Sequence, residues 1–379
     1  MYLEYKKIIN DKNKFNHLLF EDDNIENLKY LQKEYTNKID FIYIDPPYNT
    51  GKNFVYKDKK DNWLEFMKER LQIAYTLMKD KSFMFISIDD YSFSELKLLC
   101  DEIFKTKYFK KITPFIRKTS SGGRNSSLHI SCIHDYILVY QKNESKELIG
   151  FKSPEMSKTI YPLTDSRGVY KLRSMKRDNS NKNENMDYDL VNPMTGKIYR
   201  FELGWRWGKE KVDWGIKNNY IVFKEDKDGI DSVYFKEYRD FDNEGNPFIR
   251  NGNIESILND FPNSLGTNDL KNILNLTKCP FNNPKPVELI KYLIKISNLK
   301  KDAIILDFFA GSGTTAQAVL ELNNSEDTNY KFILCTNNEN NICKDITYKR
   351  IEHLLTGYVN LKGENISKVN ENIIFYIRD

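Results

Sequence analysis

What this chain lacks narrows it first. It has five cysteines among 379 residues, an odd and scattered set (Cys100, Cys132, Cys279, Cys335, Cys343) with no Cys-x-x-Cys pair. That argues against a disulfide framework and against the usual structural zinc spacings. Histidine is as sparse, at four; His129 and His134 read as a chance pair in a loop entering a strand, and no metal site is expected. No apolar run reaches the roughly 18 residues of a membrane span, and mean hydropathy is −0.63. Met1 to Phe20 holds lysines but no uninterrupted apolar stretch of the signal-peptide kind. A cytoplasmic protein without membrane association is expected. Net charge is only +4, so composition alone names no polyanionic partner.

What is present is a folded chain: 40% hydrophobic and 13% aromatic residues, enough for one large or two medium domains. One stretch organises it. Residues Ile39 to Gly51 run from an apolar, β-prone segment (Phe41, Ile42, Tyr43, Ile44) into Asp45-Pro46-Pro47-Tyr48. A short apolar run bounded by breakers is how a buried parallel strand looks. The prolines end the ladder and stiffen the residues before them. A carboxylate, a bare carbonyl and a ring are thus presented at the carboxyl end of a strand, where open α/β sheets bind ligands. These groups suit transfer to a planar exocyclic amine: Asp45 and the Pro46 carbonyl each accept an N–H, and Tyr48 stacks on the ring. Asp and Pro are also ordinary turn residues, so the four alone leave a plain strand-to-turn transition open.

Around this stretch, strands and helices alternate. Residues 18–23 read as a strand ending in acids. Asn24 is placed to cap a helix through Tyr35, and Trp63, Met67, Leu71, Ala74 and Met78 form a helical stripe. Phe83 to Ile88 is a strand, Ser92-Phe93-Ser94-Glu95 has capping-box form, and His134 to Tyr140 is another strand. The alternation predicts a parallel sheet. Residues 150–278 are polar, turn-rich and hold Trp205, Trp207 and Trp214; they read as an inserted α+β domain between a first part, 1–149, and a second, 279–379. Alternation resumes with a helix opened by Pro286, a strand over 303–306, a strand over 331–336, a helix over 346–355 and a last strand over 373–377.

Two acid-free concentrations of charge suggest phosphate contacts: Lys105, Lys107, Lys110, Lys111, Arg117, Lys118 and Arg124, then Arg167, Lys171, Arg173, Lys176 and Arg177. Such runs are also ordinary solvated surface. The Trp205-Arg206-Trp207 cluster reads as core before it reads as a stacking platform.

The second chemical stretch is Asp307-Phe308-Phe309-Ala310-Gly311-Ser312-Gly313-Thr314-Thr315, a strand, a Gly-x-Gly turn and a helix start. Such a turn lets backbone approach a ligand closely, and the helix N-terminus favours an anion. The third glycine of a dinucleotide fingerprint is missing, as is the lysine of a P-loop. A small cofactor with a carboxylate and an adenosine fits better, with Glu339 on the ribose.

Asp45-Pro46-Pro47-Tyr48 early, with Phe309-Ala310-Gly311-Ser312-Gly313 late, resembles the amino-methyltransferases that act on DNA with S-adenosylmethionine. Their order, with an insert between, is that of the circularly permuted β class. The strings Ile42 to Gly51, Leu306 to Ala316, Asn283-Pro284-Lys285-Pro286, Gly204-Trp205-Arg206-Trp207 and Thr336 to Asn341 resemble the modification subunits of type III restriction systems. The resemblance covers most of the chain and is weakest over 150–199. It implies an α/β fold, the S-adenosylmethionine-dependent methyltransferase (Rossmann-like) fold, circularly permuted, with an inserted α+β target-recognition domain. It implies methylation of the N6 amine of adenine in duplex DNA by base flipping, leaving S-adenosylhomocysteine.

By the same resemblance, Asp45, Pro46, Pro47 and Tyr48 hold the flipped base. Phe309, Ala310, Gly311, Ser312, Gly313 and Thr314 wrap the methionine part of the cofactor above Asp307. Lys285 lies near its carboxylate, Glu339 on the ribose and Asp23 on the adenine amine, with Asp45 also at the cofactor; a surface acid at a strand end is the other reading of Asp23. Lys118, Arg124, Arg167, Lys171, Arg173, Lys176 and Arg177 are the candidate DNA contacts. Double-stranded DNA is the implied partner, with a homodimer and a restriction subunit as further ones. Type III subunits usually carry a longer N-terminal extension and a larger recognition domain, so a solitary, type II or phage enzyme is equally an expected context.

The rival readings are cytosine-N4 methylation, for which the family usually has Ser at the position of Asp45, and RNA or protein N-methylation, which usually pairs Asn there with the reverse motif order. A catalytically inactive DNA-recognition subunit is the non-enzymatic alternative.

Overall fold

The computed structural model describes residues 2–12, 14–51, 55–56, 58–105, 112–120, 122, 130–143, 147–150, 161–177, 184–225, 231–246 and 254–379. The chain divides into two compact units, Met1–Ile149 with Ile254–Asp379, and Gly150–Asn253. The insert therefore closes at Asn253 and not at residue 278. Residues 254–278 were expected in it because they are polar and turn-rich, yet they supply a strand and a helix to the larger unit.

In chain order the larger unit begins with β1 (Tyr2–Ile9), β2 (Asn16–Glu21), α1 (Asn24–Tyr35), β3 (Ile39–Ile44), α2 (Trp63–Leu77), β4 (Met78–Ile88), α3 (Phe93–Ile103), β5 (Phe115–Lys118) and β6 (His134–Gln141). The insert holds β7 (Leu163–Asp165), β8 (Gly168–Ser174), β9 (Leu190–Val191), β10 (Ile198–Tyr199), α4 (Lys209–Lys217), β11 (Ile221–Glu225) and β12 (Asp231–Tyr238). The larger unit resumes with β13 (Ile257–Leu258), α5 (Asn263–Leu274), α6 (Val287–Ile296), β14 (Ile304–Asp307), α7 (Thr314–Ser325), β15 (Lys331–Thr336), a π-helical turn (Ile342–Tyr348) and α8 (Lys349–Thr356). It ends with β16 (Tyr358–Val359), β17 (Asn365–Ile366) and β18 (Asn372–Arg378).

One ten-stranded sheet carries the larger unit, in the order β1-β18-β2-β15-β14-β3-β4-β6-β5-β13. From β18 to β4 neighbouring strands are parallel; β1 is antiparallel at one edge, and β6 is antiparallel to both β4 and β5. The expected parallel sheet is thus found, with antiparallel additions on both sides. Its central strands are buried on both faces, which is why β3 reads as a continuous apolar run. One core lies under α6, α7 and α8, around Leu289, Ile290, Leu293, Val319 and Leu355. The other lies under α1, α2 and α3, around Leu28, Met67, Leu71 and Leu96.

The topology positions the site. From β14 the chain passes through α7 to β15 on one side; from β3 it passes through α2 to β4 on the other. β14 and β3 are adjacent and parallel, so the crevice where the connections diverge lies beyond their carboxyl ends. The two chemical stretches sit at those two ends, although most of the chain separates them in sequence.

The insert is built on the four-stranded sheet β11-β12-β8-β7. Trp205 and Trp207 are buried in its core with Met175, Val233 and Phe235, and Trp205 donates its indole N–H to the Tyr188 carbonyl at 2.8 Å. These rings are core, as read from the sequence.

Candidate active site

The backbone after β3 is held from several directions. Asp58, itself buried, accepts the Tyr48 N–H at 2.9 Å, the Thr50 hydroxyl at 2.8 Å and the Gly51 N–H at 2.9 Å. The Trp63 indole donates to the Pro47 carbonyl at 2.8 Å and the Ser92 hydroxyl to the Tyr48 carbonyl at 3.0 Å. Ser92 stands in capping-box sequence, but its hydroxyl makes no cap bond to α3; it serves the acceptor motif. Among the described residues no donor is recorded on the Pro46 carbonyl, which leaves it able to accept an N–H.

Lys285 closes this group from the far end of the chain. Its ammonium lies 2.6 and 2.7 Å from the two Asp45 oxygens and 2.8 Å from the Tyr48 hydroxyl, and Tyr48 in turn donates to Asp45 Oδ1 at 2.8 Å. Burial, and then the Asp45 charge, push the Tyr48 and Tyr43 hydroxyls well above the ordinary tyrosine range, so both stay neutral donors. Lys285 is aimed by close packing: a Cβ added at Gly266 of α5 would lie 2.1 Å from the Pro284 carbonyl oxygen and 2.6 Å from that of Lys285. Only glycine lets α5 come that near. Thr314 adds a hydroxyl bond to the Lys285 carbonyl at 3.3 Å.

The second stretch forms a turn over the end of β14. Gly311 and Gly313 have φ of 48° and 77°, the left-handed region that glycine enters at little cost. Asp307 is buried beneath, accepting the Phe309 N–H at 3.0 Å and the Thr315 hydroxyl at 2.6 Å. Burial pushes its carboxyl up to about 7, against the pull of those hydrogen bonds. Arg350, fully buried, ties the turn to α8 by donating to the Ser312 carbonyl, the Thr314 hydroxyl and Gln317 Oε1 at 2.6–3.1 Å. Burial brings its guanidinium down to about 10.

Between the two ends opens a cleft. Of the residues picked from sequence, Asp23, Asp45, Pro47, Lys285, Asp307, Phe309, Ala310, Gly311, Ser312, Thr314 and Glu339 line it. Pro46, Tyr48 and Gly313 are not among its lining residues. Asp23 is less free than a binding residue would be: it caps α1 through the Ile25 N–H at 3.1 Å and pairs with Arg70 at 2.6 Å. Asn24, expected as the cap, instead donates to the Phe308 carbonyl at 2.6 Å. Sequence reading missed Tyr43, Tyr56, Phe66, Phe281, Asn337 and Ile342, which also line the cleft. Phe66 carried a signal, lying on the helical stripe's flank three residues after Trp63, and Tyr43 and Asn337 fall within the strings Ile42 to Gly51 and Thr336 to Asn341; Tyr56, Phe281 and Ile342 had none.

The candidate DNA contacts divide. Lys118 is half-buried on β5, opposite His134. Its neighbour Arg117, counted in the same basic run, is wholly buried in a bidentate pair with Asp135 at 2.8 and 2.5 Å; it is a structural clamp and contacts no solvent. Arg124 lies outside the described residues. In the insert, Arg167 packs over the Tyr220 and Tyr238 rings at 4.5 and 5.2 Å, while Lys171 and Arg173 share Glu237 at 3.1 and 3.2 Å. Lys176 lies 4.6 Å from the Phe201 ring, while for Arg177 it is the backbone N–H that donates to the Gly204 carbonyl, at 3.2 Å. Much of this charge therefore holds the insert together.

Comparison with known proteins adds the following. A sequence model of the family described as DNA methylase matches residues 39–349. The type II methyltransferase M.KpnI of Klebsiella pneumoniae is 33% identical, with 93% of this chain and 86% of that protein aligned. The EcoP15I Mod subunit, a type III restriction-modification component from Escherichia coli, is 30% identical over 84% of this chain and 58% of its own length. The EcoPI Mod subunit of Escherichia phage P1 is 32% identical over 96% and 65%. The chain thus spans less than two thirds of either type III relative.

Proposed function

This chain belongs to the DNA methylase family, and from that membership we propose that it methylates the N6 amine of adenine in duplex DNA. The observation that carries the reading is the convergence, on one cleft, of Asp45 and Pro47 from the acceptor stretch with Gly311 and Ser312 of the glycine turn. An acceptor site works only with a donor site beside it.

The donor side fits S-adenosylmethionine. Gly311 and Gly313 let the turn pack closely against its surroundings, since an added Cβ would lie 3.1 Å from Phe281 and 3.2 Å from Thr347 respectively. Thr314 opens α7, whose N-terminal N–H groups suit a carboxylate. Phe66, Phe309 and Ile342 supply apolar walls for a base, and Glu339 and Asn337 supply polar groups for ribose hydroxyls. When bound, the cofactor supplies an electrophilic methyl on a sulfonium.

On the acceptor side, a base inside the duplex must first be extruded, at a cost of a few kcal/mol. Tyr48 would offset part of it by stacking. Asp45 and the Pro46 carbonyl would each accept one N–H of the exocyclic amine, turning its lone pair out of conjugation and toward the cleft. Catalysis is then mainly positioning. The insert, residues 150–253, would read the DNA sequence, with Lys171, Arg173, Lys176 and Arg177 as its candidate phosphate contacts; Lys118 is a separate candidate on β5 of the larger unit. The names of the Mod relatives add a restriction subunit as a partner, which co-purification from the native cell tests. No described helix is long and apolar enough to cross a membrane, and a cytoplasmic location suits DNA as substrate.

The test is direct: incubate the protein with labelled S-adenosylmethionine and unmethylated DNA, digest to nucleosides and identify the product by mass. N6-methyladenosine as its deoxynucleoside is expected. N4-methylcytosine would reassign the base, and label in RNA or protein alone would overturn the reading.

A further inference from the structure

A second cluster lies outside the cleft. Asp90, Cys132 and His134 bring a carboxylate, a thiol and an imidazole together, each offering one atom within 4.8 Å of the others. We propose that these three residues bind a borderline-soft divalent cation, zinc above all.

The placement follows from strand register. β4 and β6 are antiparallel, with Ile88 opposite Tyr136. Carrying the register two residues further sets Asp90 opposite His134, and Cys132, two residues before His134, falls on the same side of an extended chain. The Cys132 Sγ lies 3.1 Å from Asp90 Oδ2 and 3.9 Å from His134 Nδ1. Ligands bound at 2.0–2.3 Å in a tetrahedron stand roughly 3.3–3.8 Å apart, so closure of the trio onto an ion needs side-chain shifts on the order of an ångström. His134 Nε2 is 3.2 Å from the Tyr136 hydroxyl. With Nδ1 on the metal, Nε2–H donates to Tyr136, the outer partner that fixes a ligating imidazole's tautomer. A mixed S, N, O set suits zinc and its borderline neighbours over magnesium or calcium, which take oxygen. Three protein ligands leave a fourth position to solvent.

Binding would replace the Cys132 S–H bond by an S–metal bond and release that proton to solvent, so affinity falls as pH falls. The cation would fasten the chain entering β6 to the end of β4. Two residues beyond Asp90 stands Ser92, which holds the Tyr48 carbonyl, so the site adjoins the support of the acceptor motif. The trio was hidden from sequence reading because Asp90 is remote in the chain from Cys132 and His134.

Without a metal the same residues can stand as an ion pair between His134 Nε2 and Asp90 Oδ1, 3.6 Å apart, with the thiol donating to Asp90 Oδ2. Cobalt(II) distinguishes the two. The full-length protein, stripped with chelator, is titrated with Co2+ and followed by absorption, then back-titrated with Zn2+. The expected result is one equivalent bound, with a thiolate-to-cobalt charge-transfer band that zinc abolishes. Cys132→Ser should remove the band, Tyr136→Phe should weaken binding on the order of tenfold, and Cys279→Ser should change nothing. Asp90, Cys132 and His134 are exposed or half-buried, and far-ultraviolet dichroism checks that each variant is folded. No band at one equivalent, or a band that survives Cys132→Ser, would overturn the proposal. The readout requires no turnover, so it stands apart from the methylation assay.

Discussion

The ammonium of Lys285 bonds both oxygens of Asp45, at 2.6 and 2.7 Å, joining the residue before α6's opening proline to the acceptor motif after β3. Asp45 therefore has two tasks. It accepts hydrogen bonds from the lysine now and, on the proposed function, would accept one from the target amine. Asp45→Asn keeps the shape and loses the charge. Turnover should fall by roughly 10²–10⁴-fold, while equilibrium binding of S-adenosylhomocysteine changes little. Near-normal label transfer by this variant would remove Asp45 from the mechanism.

Lys285→Met tests the other half of the pair. Removing one partner of a buried ion pair costs about 3–5 kcal/mol, but Asp45 is 27% exposed and water screens what remains, so about 1–2 kcal/mol is expected here. The melting temperature should drop by a few degrees. Cofactor affinity should drop as well if the lysine also serves the cofactor, and calorimetry on the folded variant measures that separately from stability.

Gly311 is held at φ 48° with Phe281 Cζ only 3.1 Å from where a Cβ would stand. Gly311→Val adds both left-handed strain, about 1–2 kcal/mol, and a side chain in the cleft. The expected outcome is loss of cofactor binding with the fold retained, the opposite pattern to Asp45→Asn. Tight binding of S-adenosylhomocysteine by the valine variant would show that the turn is not the cofactor cradle.

Asp307 makes a pH prediction with a definite sign. Its carboxyl is raised by burial from 3.8 to about 7, so between those values the folded chain holds a proton that the unfolded chain has lost. Stability from this group is lost as pH rises through that window and is constant above it. Asp307→Asn removes the titration. Between pH 5 and pH 8 the wild type should therefore lose up to about 2–3 kcal/mol relative to the variant in urea unfolding. A difference that does not change with pH would mean that Asp307 is ionised throughout.

The elements that sequence made legible are those with local causes. The β3 run, the helical stripe of α2 and the Gly-x-Gly turn each follow from spacing over a few residues, and their chain order set the topology. What stayed hidden depends on neighbours remote in sequence. Asp58 drew no reading from the sequence, where lysines flank it, yet it holds three groups of the acceptor loop. Ser92 looked like a helix cap and serves Tyr48 instead. The end of the insert was misplaced because the short β13 and the weakly patterned α5 carry little hydrophobic signal of their own. They are fixed by the strand and helices they join.

Arg117 shows the same limit in charge patterning, and it gives the sharpest contrast to test. In sequence it is indistinguishable from Lys118 beside it. Alternation along β5 turns the two to opposite faces. Arg117 enters the core, where it bonds Asp135 in bidentate fashion, the Phe261 carbonyl at 2.7 Å and Asn263 Oδ1 at 2.9 Å. It thereby locks β5 to β6 and to the start of α5. Arg117→Met would leave Asp135 buried and unpaired, with an expected cost of about 3–5 kcal/mol. Arg117→Lys should recover little, because one ammonium cannot replace the planar fork. Lys118→Ala should leave stability within about 0.5 kcal/mol while weakening DNA binding and lowering its salt dependence by close to one phosphate contact. Denaturant unfolding and salt-dependent DNA titrations, run on Arg117→Met and Lys118→Ala, separate the two roles. Equal effects of the two substitutions on DNA binding, with stability untouched, would mean that Arg117 is a contact residue after all.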